Sequence, residues 1–121
     1  MKIVFLDDNS IGTDIDLSGF ESLGEVVRYG SSKPEEVPER IRDADVIIVN
    51  KIPMNEATLS GASHLKLVAL TATGMNNIDF DYTNSHGIQV KNVAGYSTNA
   101  VAQHTFALLF YVLHRLAWAD L

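Results

Sequence analysis

Asp45-Val46-Ile47-Ile48-Val49-Asn50-Lys51-Ile52-Pro53-Met54-Asn55-Glu56-Ala57-Thr58-Leu59-Ser60-Gly61 reads as one strand, one loop and one helix. Val46 to Val49 are four β-branched residues in succession, which suits a strand buried on both faces. Asn50, Lys51, Ile52 and Pro53 break that run. Asn55 then caps a helical stretch through Leu59, and Gly61 ends it.

Comparable apolar runs stand on both sides of this unit: Ile3 to Leu6, Val26 to Val27, Leu67 to Leu70 and Ile88 to Val90. Pro34 suits a first helical turn, with Val37 and Ile41 following at i, i+4. Asp79 caps a further helix that stops before Gly87. The stretch between the first two strands is less regular, because Gly12 and Gly19 interrupt it. A short helix is expected there, centred near Leu17 to Leu23. Strands alternating with helices predict a parallel sheet with helices on both faces. Five strands suit a flavodoxin-like, three-layer α/β/α fold with strand order 2-1-3-4-5.

The last helix differs from the others. It starts near Ser97, Thr98 or Asn99 and is expected to run to about Trp118. Ala102, Phe106, Leu109, Leu113 and Leu116 form one apolar stripe, widened by Val101, Leu108 and Val112 and extended by Phe110 and Tyr111. One sheet face needs a stripe about 100° wide. This helix offers more and should touch two surfaces. Gln103, His104, Thr105, His114 and Arg115 argue against a membrane span.

The 121 residues are one domain's worth, 46% apolar and 20% charged, which fits an ordered globular chain. A net charge of −6, with acids scattered rather than massed, argues against nucleic acid or an anionic membrane as partner. There is no cysteine, so disulfides, thiolate metal sites and cysteine nucleophiles are excluded. Met1 to Asp8 is a strand running into acids, not a signal peptide. A cytoplasmic protein is expected.

In a parallel open sheet, ligands sit outside the carboxyl ends of the strands. The loop Thr71-Ala72-Thr73-Gly74-Met75-Asn76-Asn77 is the most informative there. Gly74 allows a close approach of backbone to ligand or a positive φ. The amides of Thr73, Gly74 and Met75 could then nest a carboxylate; a plain tight turn is the competing reading. No G-x-G-x-x-G occurs, so the usual pyrophosphate cradle is missing. No residue set suggests a metal. His64 and His86 read as solvated loop residues. His104 and His114 lie ten residues apart on the long helix, about 15 Å along its axis, and cannot share an ion.

Two functional readings remain. Asp7 and Asp8 after the first strand, with Thr71 and Lys91 after the fourth and fifth, resemble a receiver domain of two-component signalling. Asn50 stands where its phosphoacceptor aspartate belongs, so this alternative is a degenerate receiver. The other resemblance is stronger. Thr71 to Asp79, TATGMNNID, resembles the signature of D-isomer-specific 2-hydroxyacid dehydrogenases. Gly95 to Thr105, GYSTNAVAQHT, resembles that family's segment entering the first interdomain helix. Val49 to Leu59, VNKIPMNEATL, is also similar to family members. Gln103 stands where glutamate is commoner, and Asn76 where aspartate is commoner.

This resemblance implies a substrate-binding domain over residues 1–121, with a flavodoxin-like body at 1–96 and an interdomain-type helix at 97–118. It implies that the amides of Thr73, Gly74 and Met75 hold the carboxylate of a small 2-hydroxy or 2-oxo acid, with Lys51 near the substrate mouth. It places Thr98 and Val101 toward the nicotinamide end of NAD or NADP. The family's catalytic arginine, acid and histidine, and its dinucleotide motif, belong to the part of the chain that follows. The nucleotide-binding domain would begin where the helix delivers the chain, at Asp120-Leu121. By that reading this chain alone holds no catalytic residue, binds no cofactor and is inactive. Its last helix, lacking a partner domain, would fold back on its own sheet or exchange between two chains; its width favours a helix-exchanged homodimer.

Overall fold

Val46–Val49 forms β3, the middle strand of a five-stranded sheet, in the computed structural model, which describes residues 1–119. Around it lie β1 (Lys2–Phe5), β2 (Glu25–Arg28), β4 (Leu67–Leu70) and β5 (Gln89–Lys91). Every neighbouring pair is parallel and the order is β2-β1-β3-β4-β5, as the alternating pattern predicts. Ile47 lies opposite Val4 on one side and Val68 on the other. All three are completely buried.

Alternation along the strands divides the core in two. Val4, Leu6, Ile47, Val49, Val68 and Leu70 point to one face, where Val37, Ile41 and Leu59 cover them. The covering helices are α1 (Val37–Arg40), α2 (Glu56–Leu59) and α3 (Phe80–Ser85). α1 continues directly from a 3-10 turn over Pro34–Glu36. The Asn55 side chain accepts from the Thr58 amide and the Asp79 side chain from that of Tyr82. Both caps are those expected, each worth about 1 kcal/mol.

Ile3, Phe5 and Ile48 point to the other face and pack with Ile11, Leu17 and Phe20. The Phe20 ring meets Phe5 edge-on, with centroids 5.2 Å apart. The covering segment is not the single short helix expected. It is two 3-10 turns, Asp8–Ser10 and Ser18–Ser22. Gly12 turns the chain at φ 95°, and the Asp16 carboxylate accepts from the Ser18 amide to start the second turn. This thin cover leaves an apolar groove of about 450 Å³ among Phe5, Ile15, Leu17, Ile48, Val93 and Tyr96.

α4 (Thr98–Leu113) leaves the body after β5, and none of its residues is buried. It does not fold back on its own sheet. Val101, Phe106, Leu108, Leu109, Phe110, Tyr111, Val112 and Leu113 are all about half exposed or more. The helix was expected to run unbroken to Trp118, but it stops at Leu113. Arg115 takes φ 49°, in the left-handed region, and its amide donates to the Val112 carbonyl, three residues back. α5 (Leu116–Ala119) follows. The handover to a following domain expected at Asp120-Leu121 lies outside the described residues. Among the described residues no helix is long and apolar enough to cross a membrane.

These exposures make a direct stability prediction. Ile47→Ala removes a fully buried side chain and should cost about 2–5 kcal/mol in urea unfolding. Leu109→Ala, at a position of α4 exposed in the single chain, should change the stability of the monomer by no more than about 0.5 kcal/mol. A comparable loss at Leu109 would mean that α4 is packed in solution.

Candidate functional site

Because every strand runs the same way, the loops after β3, β4 and β5 leave one edge of the sheet. They cover residues 50–55, 71–79 and 92–97. Side chains tie them together. Asp7, just past β1, accepts the amide of Asn50 at 2.9 Å and that of Lys51 at 3.3 Å. Asn77 donates its side-chain amide to the carbonyls of Ile52 at 2.9 Å and Asn50 at 3.4 Å. Met54 donates to Asn77 O and Asp79 to Met54 O, both at 2.9 Å, so the first two loops meet as a short bridge. Asn92 donates to Thr73 O at 2.7 Å and the Thr73 hydroxyl to Val93 O at 2.9 Å. The third loop is thereby held to the second.

That stitching leaves the middle of the second loop unpaired. Among the described residues, no acceptor takes the amides from Ala72 to Asn77, those of Thr73, Gly74 and Met75 included. Thr73 and Gly74 are exposed and Met75 is partly so. Unpaired backbone donors at a loop surface are available to water or to a ligand oxygen. Gly74 earns this place by lacking a side chain, not by its φ. It is absent from the positive-φ glycines, which are Gly12, Gly24, Gly87 and Gly95. A Cβ built at Gly74 would touch only the Asn76 side-chain oxygen, at an ordinary 3.6 Å. The positive φ considered from the sequence is not adopted; an open approach to the backbone is.

A cleft of about 420 Å³ lies beside these amides, lined by Asn50, Lys51, Ala72, Gly74, Asn76 and Asn77. Lys51 is exposed and makes no ion pair among the described residues. The structure therefore brings Lys51 and Gly74 to one cleft, with Thr73 and Met75 flanking Gly74 in the chain. Thr98 and Val101 are not in its lining. They stand exposed on the first turn of α4, where the Val101 amide donates to Ser97 O at 2.8 Å. His64, His86, His104 and His114 are all exposed. His86 closes α3, stacked on Tyr82 at 4.0 Å. Among the described residues no group of three histidine, aspartate or glutamate side chains could hold a metal. Asp8 is paired with Arg28 at 2.5 Å, so both members of the acidic pair have partners within the fold.

Asn77 and Asn92 were not singled out from the sequence as site residues, and Asp7 was singled out only for the acidic pair of the receiver reading, not as a clamp. The signal available was position alone: each is polar and lies in a loop that leaves this edge of the sheet.

Residues 3–113 match the family model for the D-isomer specific 2-hydroxyacid dehydrogenase catalytic domain. The chain is 37% identical over 120 residues to a hydroxypyruvate reductase of Blautia hydrogenotrophica, covering 96% of this chain and 37% of that protein. Among solved structures it is similar to an acyclic imino acid reductase in complex with NADPH and D-Arg. The TM-score is 0.84 with 28% identity, over 99% of this chain and 39% of that one. It is also similar to an NAD⁺-bound 3-phosphoglycerate dehydrogenase of Entamoeba histolytica, with a TM-score of 0.73 and 29% identity over 92% of this chain and 38% of that one. The chain thus spans well under half the length of the proteins it matches.

Asp7 gives the site edge a pH signature. Burial pushes its carboxyl above the usual aspartate value of 3.8, while the amides of Lys51 and Asn50 pull it partway back. A carboxyl raised in the folded state is ionised more readily in the unfolded one. Its ionisation therefore takes stability away as pH rises from the ordinary value through the raised one, and takes none below. Asp7→Asn keeps an oxygen for the Asn50 amide but cannot ionise. Stability of the variant relative to the wild type should rise with pH across that window and then level off, measured by urea unfolding. A difference independent of pH would refute the assignment.

Proposed function

The chain belongs to the D-isomer specific 2-hydroxyacid dehydrogenase family, and from that premise we propose that it is the substrate-binding half of an NAD(P)-dependent enzyme. The reaction interconverts a 2-hydroxy acid and a 2-oxo acid. Oxidation moves a hydride from C2 to the nicotinamide, and the hydroxyl proton goes to a base. The observation that carries the reading is that the amides of Thr73, Gly74 and Met75, within the unpaired run from Ala72 to Asn77, lie beside the cleft. A carboxylate is their natural guest, because each amide can give it a charge-assisted hydrogen bond. Lys51, exposed on the cleft, adds positive potential where an anion would enter.

The remaining roles follow the family pattern. Thr98 and Val101, on the first turn of α4, form the wall toward the cofactor, NAD or NADP. The general acid/base histidine, the acid that orients it and the substrate-binding arginine come from a nucleotide-binding domain. Residues 1–96 then serve as the substrate body, and residues 97–118 carry the chain toward that domain. A hydroxypyruvate reductase among the relatives makes a small 2-oxo acid the substrate class to test first.

α4 supports this arrangement. Its exposed Phe106, Leu109, Phe110 and Leu113 form an apolar surface of the kind that marks an interface. In the enzyme that surface meets the nucleotide-binding domain. In the 121-residue protein by itself, exchange of α4 between two copies would bury it against the groove around Phe5, Ile48 and Tyr96. Sedimentation at micromolar concentration should then report twice the chain mass; a single-chain mass would count against exchange.

Two measurements test the functional reading. Titrating the ¹⁵N-labelled protein with D-lactate should shift the amide resonances of Thr73, Gly74 and Met75 first. Gly74→Ala puts a methyl group in the cleft and should weaken binding about tenfold, the loss of one hydrogen bond to a charged group. It should leave stability unchanged, since its Cβ meets only ordinary contacts. Shifts confined to other loops would refute the carboxylate cradle. With NAD or NADP and a panel of D-2-hydroxy acids, the 121-residue protein should show no turnover. Turnover would refute the division of roles.

A further inference from the structure

We propose that Asn92 is a positioning residue: from the far side of the loop after β4 it turns the Gly74 amide into the cleft and strengthens it as a donor. The inference rests on the carboxylate cradle of the preceding section and says how the cradle comes to face its guest. The loops after β3, β4 and β5 stand side by side in the order of their strands. The cleft lies on the β3 side of the middle loop, where Asn50 and Lys51 form its other wall. Asn92 and Val93 belong to the loop on the opposite side and take no part in the cleft lining.

Both of those residues hold carbonyls of the middle loop. The Val93 amide donates to Ala72 O at 3.1 Å, and the Asn92 side-chain amide donates to Thr73 O at 2.7 Å. A trans peptide is planar, so its N–H points opposite to its C=O. No peptide bond among the described residues is cis. Drawing Ala72 O and Thr73 O toward the loop after β5 therefore sends the amides of Thr73 and Gly74 the other way, toward the cleft. Neither amide has an acceptor among the described residues. The next carbonyl, Gly74 O, receives no backbone donor among them, so the Met75 amide has no such guide.

The two ties differ in kind. Val93 acts through its backbone, which any residue but proline would supply. Asn92 acts through its side chain, and the residue is partly buried among exposed neighbours. A donor on a carbonyl also polarises the whole peptide, and linked hydrogen bonds strengthen one another by roughly 10–30%. One contact thus aims the Gly74 amide and makes it a better donor to an anion. The Thr73 hydroxyl adds a third tie, donating to Val93 O at 2.9 Å, but it holds no carbonyl of the middle loop.

The test uses the ¹⁵N-labelled protein and pyruvate, a 2-oxo acid that stays ionised in mild acid. In the free protein, Asn92→Ala should move the Gly74 amide resonance upfield and leave that of Met75 in place. Pyruvate affinity should fall about fivefold, the worth of one ordinary hydrogen bond. Asn92→Asp should lose as much near neutral pH, because its carboxylate has no proton to give Thr73 O. Measured against the wild type at each pH, its affinity should recover as pH falls through the aspartate range, about 3.9, where the carboxyl group donates again. A loop that had merely loosened would show no such recovery. Asn92→Asp is nearly isosteric and decides the matter should Asn92→Ala not fold. An unmoved Gly74 resonance, wild-type affinity in the variants, or a loss in Asn92→Asp that is the same at every pH would overturn the proposal and leave the cradle standing. Pyruvate that shifts none of the amides of residues 73–75 in the wild type would remove the cradle and, with it, the role assigned to Asn92.

Discussion

The parallel pairing of β3 with both β1 and β4 is the constraint on which the rest of the structure depends. A parallel neighbour cannot be reached by a tight hairpin, so the chain must cross over after every strand. Each crossover here begins at the same edge of the sheet. Asp7, the loop after β3 and the loop after β4 therefore arrive together although 43 to 44 residues separate Asp7 from Asn50 and Lys51. The buried Val4, Ile47 and Val68 hold this register. A slip of one residue would turn each of them to the opposite face.

The same edge shows how backbone donors can be left open in a loop that is bonded from its flanks. Asp7, Asn77 and Asn92 satisfy the loops from their flanks. The hydrogen bonds they supply go to the amides of Asn50 and Lys51 and the carbonyls of Asn50, Ile52 and Thr73. None goes to the amides of residues 73–75. The loop is thus held in place without filling the donors it presents. Preorganised donors of this kind need little reordering when an anion arrives.

Local signals in the sequence carried far for the sheet and less far for what surrounds it. β3 and β4 have the bounds that their apolar runs predict, because both are interior strands whose side chains all find partners. β2 is longer than Val26-Val27, since Glu25 and Arg28 extend it at exposed positions of the outer strand. The cover on the second face took the form of two 3-10 turns because Gly12 and Asp16 act on the backbone locally, where an apolar pattern gives no information. The open backbone of the loop after β4 was legible through Gly74, but for its missing side chain rather than an unusual φ. Lys51 could be placed on the cleft edge because the loop after β3 carries it. The clamping role of Asp7, Asn77 and Asn92 was not legible because their partners lie 19 to 44 residues away. The break at Arg115 has no helix-breaking residue to announce it.

The sheet ends at β2 and β5, and both are short. β2 shows Glu25 and Arg28 to solvent, and β5 shows Gln89 and Lys91. Short outer strands bearing charge are poor templates for the edge-to-edge addition of another chain. The apolar surface of α4 has no such protection. The two kinds of exposed surface therefore differ in what they admit. The margins of the sheet discourage strand-by-strand growth, whereas the helix invites side-chain contact. Should this protein come out of solution on concentration, the aggregate would be expected to retain its native sheet and to form through α4. Solubility would then be improved by polar substitutions on that helix, with the strands left as they are.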